Sequence, residues 1–246
     1  MSKSPLQPIA VVAAVVLSAS MATAQGRDPR EVQPERPTVA THAGTVAPGF
    51  LELEWGAEFS SGPNIGIPLY LKLGLRSDLQ FGWMVPLSKP FNGDLGLGDM
   101  QFALKWRLIN DNPVLGDLAI QPSVTLPTSS GSSSPGVGFF LISSRDIGKV
   151  SMDLNAGVNS TRGAGTQTVW TISLGGPASG KWGWVGELAG FGTAGSSSLQ
   201  LLGGPTYRLK RSLAFDAGVI APLNQSNNDL RFYLGGTTNL GRIIGR

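Results

Sequence analysis

From residue 50 onward, apolar and polar positions alternate with a period of two. In 50–59, Leu51, Leu53, Trp55, Ala57 and Phe59 share one face, and Glu52, Glu54, Gly56 and Glu58 share the other. The next run, 65–76, sets Ile65, Ile67, Leu69, Leu71, Leu73 and Leu75 against Gly66, Pro68, Tyr70, Lys72, Gly74 and Arg76. Successive side chains of a β-strand point to opposite faces, so each run predicts a strand with one apolar and one polar wall. The division recurs in 78–86, with Leu79, Phe81, Trp83 and Val85 apolar. In 98–108, Met100, Phe102, Leu104, Trp106 and Leu108 oppose Asp99, Gln101, Lys105 and Arg107. Further runs are 117–127, 137–144, 149–159, 167–175, 182–191, 199–208, 212–222 and 229–240. The segment 137–144 is the weakest, because Phe139 to Ile142 is apolar on both faces.

These runs predict about twelve strands, plus or minus about two, around the even number that single-chain bacterial barrels carry. Connections near Asn92, Ser132, Gly163, Ala194 and Asn227 are rich in Gly, Ser and Asn and would face outside. Those near Ser77, Asp146 and Lys210 are short, as periplasmic turns should be. Two connections break the rule: 60–64 is short for an outer loop, and 109–116 is long for a turn.

The residues before the first strand differ in kind. Residues 25–48 are polar, with Pro34, Pro37 and Pro48 and charges of both signs, and read as a periplasmic arm or plug without its own core. Ahead of it, Lys3, the apolar run 9–17 and small residues ending in Ala22-Thr23-Ala24 make the three parts of a secretory signal peptide, residues 1–24. A membrane anchor is the competing reading, but crossing a bilayer takes roughly 20 apolar residues. The expected organisation is therefore signal peptide 1–24, arm 25–48 and barrel 49–246.

Composition narrows the fold further. The chain has 34 glycines, 14% charged residues and no cysteine. Disulfides, thiolate metal sites and cysteine nucleophiles are excluded. The net charge of +3 is spread out, with no basic run for nucleic acid. A soluble sandwich or lipocalin-like barrel also alternates, with its apolar face as core. Here the apolar faces carry Trp55, Trp83, Trp106, Trp170, Trp182 and Trp184, assigned mostly to strand ends, which suits the aromatic girdles of a membrane barrel. The expected fold class is all-β: a transmembrane antiparallel β-barrel of outer-membrane type, in the bacterial cell outer membrane.

Three pieces of the chain resemble a family of proteobacterial outer-membrane proteins associated with the MetA pathway of phenol degradation and often called transporters. The first is Glu35-Arg36-Pro37 followed by 46–54, similar to the family's D-R-P arm, P-x-G segment and first strand ending in an acidic residue. The second is Gly96-Leu97-Gly98-Asp99 with Lys105-Trp106-Arg107, and the third is Leu126-Pro127-Thr128 before a glycine-rich loop. Two departures are Glu35 in place of Asp, and an end at 241–246 without an aromatic residue. The resemblance spans essentially all of the mature chain. It implies a twelve-stranded type of barrel and a role in the passage of small, including aromatic, molecules, without naming a solute.

Catalytic constellations are poor. The one histidine, His42, lies in the proline-rich arm, where the sequence reads as solvated and remote from any nucleophile, so histidine-based hydrolysis is not expected. Residues 175–181 approach phosphate-loop spacing, but Trp182 follows where Ser or Thr is needed, and a strand follows instead of a helix. This is a turn. No cofactor or metal is expected. The informative side chains are charges on the polar faces: Glu52, Glu54, Glu58, Lys72, Arg76, Asp99, Lys105, Arg107, Asp153, Glu187, Arg208, Asp216 and Arg231. If the first hairpin closes at 60–64, Glu52 falls opposite Lys72 and Glu54 opposite Tyr70.

These residues either line a pore or satisfy one another inside a plugged barrel, since narrow barrels are filled and only wide ones are open. The first reading is a passive channel for small molecules. The second is a closed barrel acting as a structural or interaction protein through its outer loops. Expected partners are outer-membrane lipid, the barrel-assembly machinery and an unidentified small solute, with no nucleic acid.

Overall fold

The computed structural model describes residues 28–60, 64–90, 92–130, 134–224 and 229–245. Residues 1–24, where a signal peptide is expected, lie outside them. Thirteen strands form one antiparallel sheet: β1 (Phe50–Phe59), β2 (Asn64–Arg76), β3 (Leu79–Pro90), β4 (Gly96–Leu97), β5 (Met100–Asn112), β6 (Gly116–Leu126), β7 (Gly136–Ile147), β8 (Val150–Thr161), β9 (Gly165–Ser179), β10 (Trp182–Thr193), β11 (Ser196–Lys210), β12 (Leu213–Pro222) and β13 (Arg231–Arg242). Strand β4 is a two-residue stub on β3. The other twelve pair in chain order, and β13 pairs with β1, which closes a twelve-stranded barrel. No helix occurs among the described residues.

The first hairpin has the register its charges require. Glu52 lies opposite Lys72, and Glu54 opposite Tyr70. The connections at 77–78, 113–115, 148–149, 180–181 and 211–212 gather at one end of the barrel with the entry to β1 and the exit from β13. This is the terminal end. The opposite, loop end carries the longer connections 127–135 and 223–230. The apparent long turn at 109–116 is mostly strand, because β5 runs on to Asn112 and register shifts between Arg107, Ile109 and Asn112 absorb the extra residues. Bulges of this kind let one strand outgrow its partner without breaking the ladder.

The apolar faces point outward. Leu141 of β7, Trp182 of β10, Leu201 of β11 and Phe232 and Leu240 of β13 are each about half exposed, whereas Glu52 and Lys72 on the opposite faces are at 0%. A soluble barrel would have the reverse arrangement, and no soluble monomer carries an apolar belt round its whole circumference. The tryptophans form a girdle at one end only. Trp106, Trp182 and Trp184 lie near the terminal end, and Trp182 packs on Tyr207 with ring centroids 4.7 Å apart. Trp55, Trp83 and Trp170 lie inside strands, which corrects the assignment of most tryptophans to strand ends. Trp55 and Trp170 are register partners of Gly236 and Gly190, and their rings cover backbone that these glycines leave bare.

The weak strand also has a cause. Phe140 and Ile142 of β7 face inward, where Ile142 is buried with Ala119 of β6 and with Ala43, a residue that precedes the barrel. Both faces of β7 are therefore apolar, one toward lipid and one toward this interior contact.

The outward assignment predicts a depth-dependent penalty. Leu141→Arg, in the middle of β7, should destabilise the lipid-refolded barrel by roughly 2–4 kcal/mol, and Leu240→Arg, near the terminal end of β13, by about 0–1 kcal/mol. Equal losses in urea titrations of the two variants would contradict a lipid-facing belt.

Candidate functional site: a chain segment bound inside the barrel

Residues 28–48 form hydrogen bonds or ion pairs with side chains from ten of the twelve long strands. A segment touching walls all round a closed ring lies within it. The sequence explains why no helix or strand forms here: the prolines and mixed polar residues give the backbone no ladder of its own. The wall supplies the missing acceptors. Gln33 N–H donates to Glu52 Oε2 at 2.9 Å, and Glu35 N–H to Glu54 Oε1 at 2.6 Å. Val39 and Ala40 donate to the two oxygens of Glu187, at 2.9 and 2.6 Å. Thr41 exchanges two bonds with the Asn155 amide, at 2.8 and 2.9 Å. Ala43 donates to Ser144 Oγ and Val46 to Gln80 Oε1.

The segment enters and leaves at the terminal end. Asp28 pairs with Arg211, and Glu31 with Arg208, beside the turn between β11 and β12. After its passage through the lumen it returns to the rim, where Thr45 Oγ1 donates to the carbonyl of Ser77 and Pro48 bridges to Gly74. A Cβ on Gly74 would strike the carbonyls of Val46 and Ala47, so the close approach requires glycine there.

A buried ionic cluster joins segment and wall. Lys72 Nζ lies 2.7 Å from Glu52 Oε1 and 2.7 Å from Glu54 Oε1, and donates to the carbonyl of Gln33. Lys105 Nζ holds Glu35 Oε1 and the carbonyls of His42 and Gly44. Gln80 Nε2 adds a bond to Glu35 Oε1 at 3.1 Å. Burial pushes the Glu35 carboxyl up, but Lys105 and Lys72 outweigh it and hold the group well below the usual carboxylate range. His42 is pushed down to about 3, first by burial and then by the Lys105 charge, with Glu35 opposing. The expectation of a solvated histidine is thus corrected: His42 is inside the barrel, and the neutral ring lines a lumenal cavity.

Seven of the expected charges, Glu52, Glu54, Lys72, Lys105, Asp153, Glu187 and Asp216, come together around this segment; Asp153 acts through Ser144, whose Oγ donates to it at 2.6 Å. Glu58 and Arg231 pair at 3.6 Å nearer the loop end. Arg107 reaches the carbonyl of Ser77 and lies 3.9 Å from Asp117 at the terminal end. Arg208 is also at that rim. Arg76 is exposed and pairs with Asp78, and Asp99 accepts from Ser129 at the loop end. These two stand apart from the buried cluster. Attention to charged strand residues missed Gln80 and Asn155, which sit in phase with the polar faces, and Ser144, whose strand is apolar on both faces. It also missed Glu35 and Arg36, which no strand periodicity could mark.

Two cavities flank the segment. The smaller, about 300 Å³, lies toward the loop end and is lined by Glu58, Tyr70, Met84, Gln101, Gln121 and Phe140, among others. The larger, about 1470 Å³, lies toward the terminal end between residues such as Arg107, Lys149, Asp153, Ser173 and Arg208. Residues 175–181 form the end of β9 and a tight turn at 180–181, in keeping with the turn expected there.

Removing one member of the cluster strands the others. Lys72→Met should destabilise the protein by about 3–5 kcal/mol, because two buried carboxylates lose their cation. Adding Glu52→Gln and Glu54→Gln should restore much of the loss; no recovery in the triple variant's unfolding curve would refute the coupling. A second expectation concerns pH. Docked His42 takes up a proton only near pH 3, and a released one near its ordinary 6.5. Docking is thus full above about 6.5 and weakens as pH falls, by up to about tenfold per unit for one proton. Glu35 acts in the same direction below its ordinary value. Hydrogen exchange of residues 33–46 should report this slope, and His42→Asn should flatten it between pH 6.5 and 5.

No protein-family model and no curated protein sequence matches the chain. Solved structures do. A KdgM porin in complex with disordered oligogalacturonate superposes with a TM-score of 0.59 at 13% identity, covering 76% of this chain and 98% of that one. The COG4313 outer membrane channel from Pseudomonas putida F1 gives a TM-score of 0.60 at 14% identity, covering 85% and 100%. A NanC porin gives 0.58 at 10% identity, covering 77% and 100%. The barrel is of the kind found in bacterial outer-membrane porins.

Proposed function

We propose that this barrel is an outer-membrane channel for the passive passage of small molecules, with residues 28–48 as a plug within it. The observation that carries the reading is a lumen with cavities on both sides of a segment that is bonded to the wall through side chains rather than built into the sheet. Side-chain bonds of this kind can be exchanged one at a time, whereas a strand would have to leave the ladder as a unit. Neighbours that are porins and a channel support the reading and suggest a non-enzyme. Small aromatic or hydrophobic solutes are favoured by Tyr70, Met84 and Phe140 in the loop-side cavity. The resemblance of 35–37, 46–54, 96–99 with 105–107, and 126–128 to phenol-degradation proteins points the same way. The lumenal charges of the site, from Glu58 and Arg231 to Arg107 and Arg208, would line the path.

A second reading, a closed barrel that works through its outer loops, is favoured by the number of bonds that hold the segment. Single-channel recordings separate the two. The refolded chain should conduct steadily, and deletion of residues 25–48 should raise the conductance. Silence from both, with heat-modifiable migration proving that the barrels are folded, would favour the closed barrel.

A further inference from the structure

Among the residues that line the two cavities, only Arg36 and Thr38 line both. No wall residue does. The partition between the cavities is therefore thinnest at 36–38, and its one charged group is the Arg36 guanidinium.

That guanidinium has a built seat. Gly56 of β1, Gly235 of β13 and Asp216 of β12 are register partners in a single row across three strands. A Cβ on either glycine would run into the guanidinium, so both positions must stay bare for the planar group to lie against the wall. Asp216 Oδ1 accepts from Nη2 at 3.4 Å, a long contact, and it is the one hydrogen bond of Arg36 among the described residues. Nε is buried without a partner. A guanidinium carries five N–H donors, so most of this fork is unengaged. The neighbouring lumenal cations are committed: Lys72 lies between Glu52 and Glu54, Lys105 on Glu35, and Arg208 on Glu31. On the loop side, Arg36 borders the cavity that also holds Tyr70, Met84 and Phe140.

We infer that Arg36 is the selectivity residue of the lumen, and that it favours small organic acids with an apolar body. The carboxylate binds the donors of the guanidinium fork that Asp216 leaves unengaged, a planar match that a lysine cannot offer. The apolar part occupies the loop-side cavity. The inference rests on the channel reading above and names the solute class for it.

The test uses the full-length chain in planar bilayers under a potassium chloride gradient, with benzoate and benzyl alcohol as probes. Arg36→Gln should lower the chloride-over-potassium permeability ratio by up to roughly 25-fold, because one unit charge about 4 Å away at the dielectric of water shifts each ion about fivefold, in opposite directions. Its conductance should remain well below that of the barrel lacking residues 25–48. Arg36→Lys should keep the ion selectivity. Benzoate should reduce the wild-type current, reduce it less in Arg36→Lys and leave Arg36→Gln unaffected, and benzyl alcohol should do nothing to any of them. An unchanged permeability ratio in Arg36→Gln overturns the inference. So does a jump of its conductance to that of the barrel lacking residues 25–48, which would make Arg36 an anchor only. Silence of the folded wild type sinks the channel reading itself, and this inference with it.

Discussion

Every backbone N–H and C=O must find a partner, and in a bilayer water cannot supply it. This constraint explains the closed ring: twelve strands satisfy one another only because β13 returns to β1, leaving no open edge toward lipid. It acts a second time inside. Residues 28–48 have too many prolines to form a ladder, so the wall meets their N–H groups with carboxylates, amides and a hydroxyl. Glu52, Glu54, Glu187, Asn155, Ser144 and Gln80 are thus explained as backbone acceptors before they are anything else.

Acceptors of this kind bring charge into an enclosed space, and the charge has consequences. A carboxylate takes two N–H groups more strongly than a neutral amide does, as Glu187 does with Val39 and Ala40. Yet a buried carboxylate without a cation is costly. Lys72 and Lys105 meet that need for Glu52, Glu54 and Glu35, and their remaining N–H donors bind carbonyls of the same segment. The ionic cluster and the backbone contacts are therefore one structure. Their joint geometry explains why Lys72 stands opposite Glu52 across the first hairpin.

The barrel was legible in the sequence because its two environments differ so sharply. Lipid selects for Leu, Trp and Phe at every second position, and the lumen for Glu, Lys, Gly and Asn, so 50–59 and 98–108 declare strand and facing together. Legibility failed where a side chain answered to something other than that division. Phe140 and Ile142 obscure β7 because they pack on Ala43, and Trp55 and Trp170 sit mid-strand because glycines beside them need cover. The lumenal charges could be assigned to a face but not to partners, since the partners lie in 28–48, where no periodicity exists. His42 was misjudged for the same reason: a proline-rich polar stretch looks the same whether it is solvated or threaded through a barrel.

The way the segment is held bears on how it could move. Its bonds are spread over ten strands, so no single one is decisive, and the loss of any one leaves a neighbour to hold the backbone nearby. The distribution is also uneven. Residues 33–35 and 42–46 are tied to the buried lysines and to Gln80, whereas 36–38 meet the wall through glycines and one long contact to Asp216, with Thr38 bonded, among the described residues, only to carbonyls of the segment itself. A displacement confined to 36–38 would leave the ionic cluster intact and would need little rearrangement of the wall. The partition between the two cavities is thus least tied to the wall where it is also thinnest.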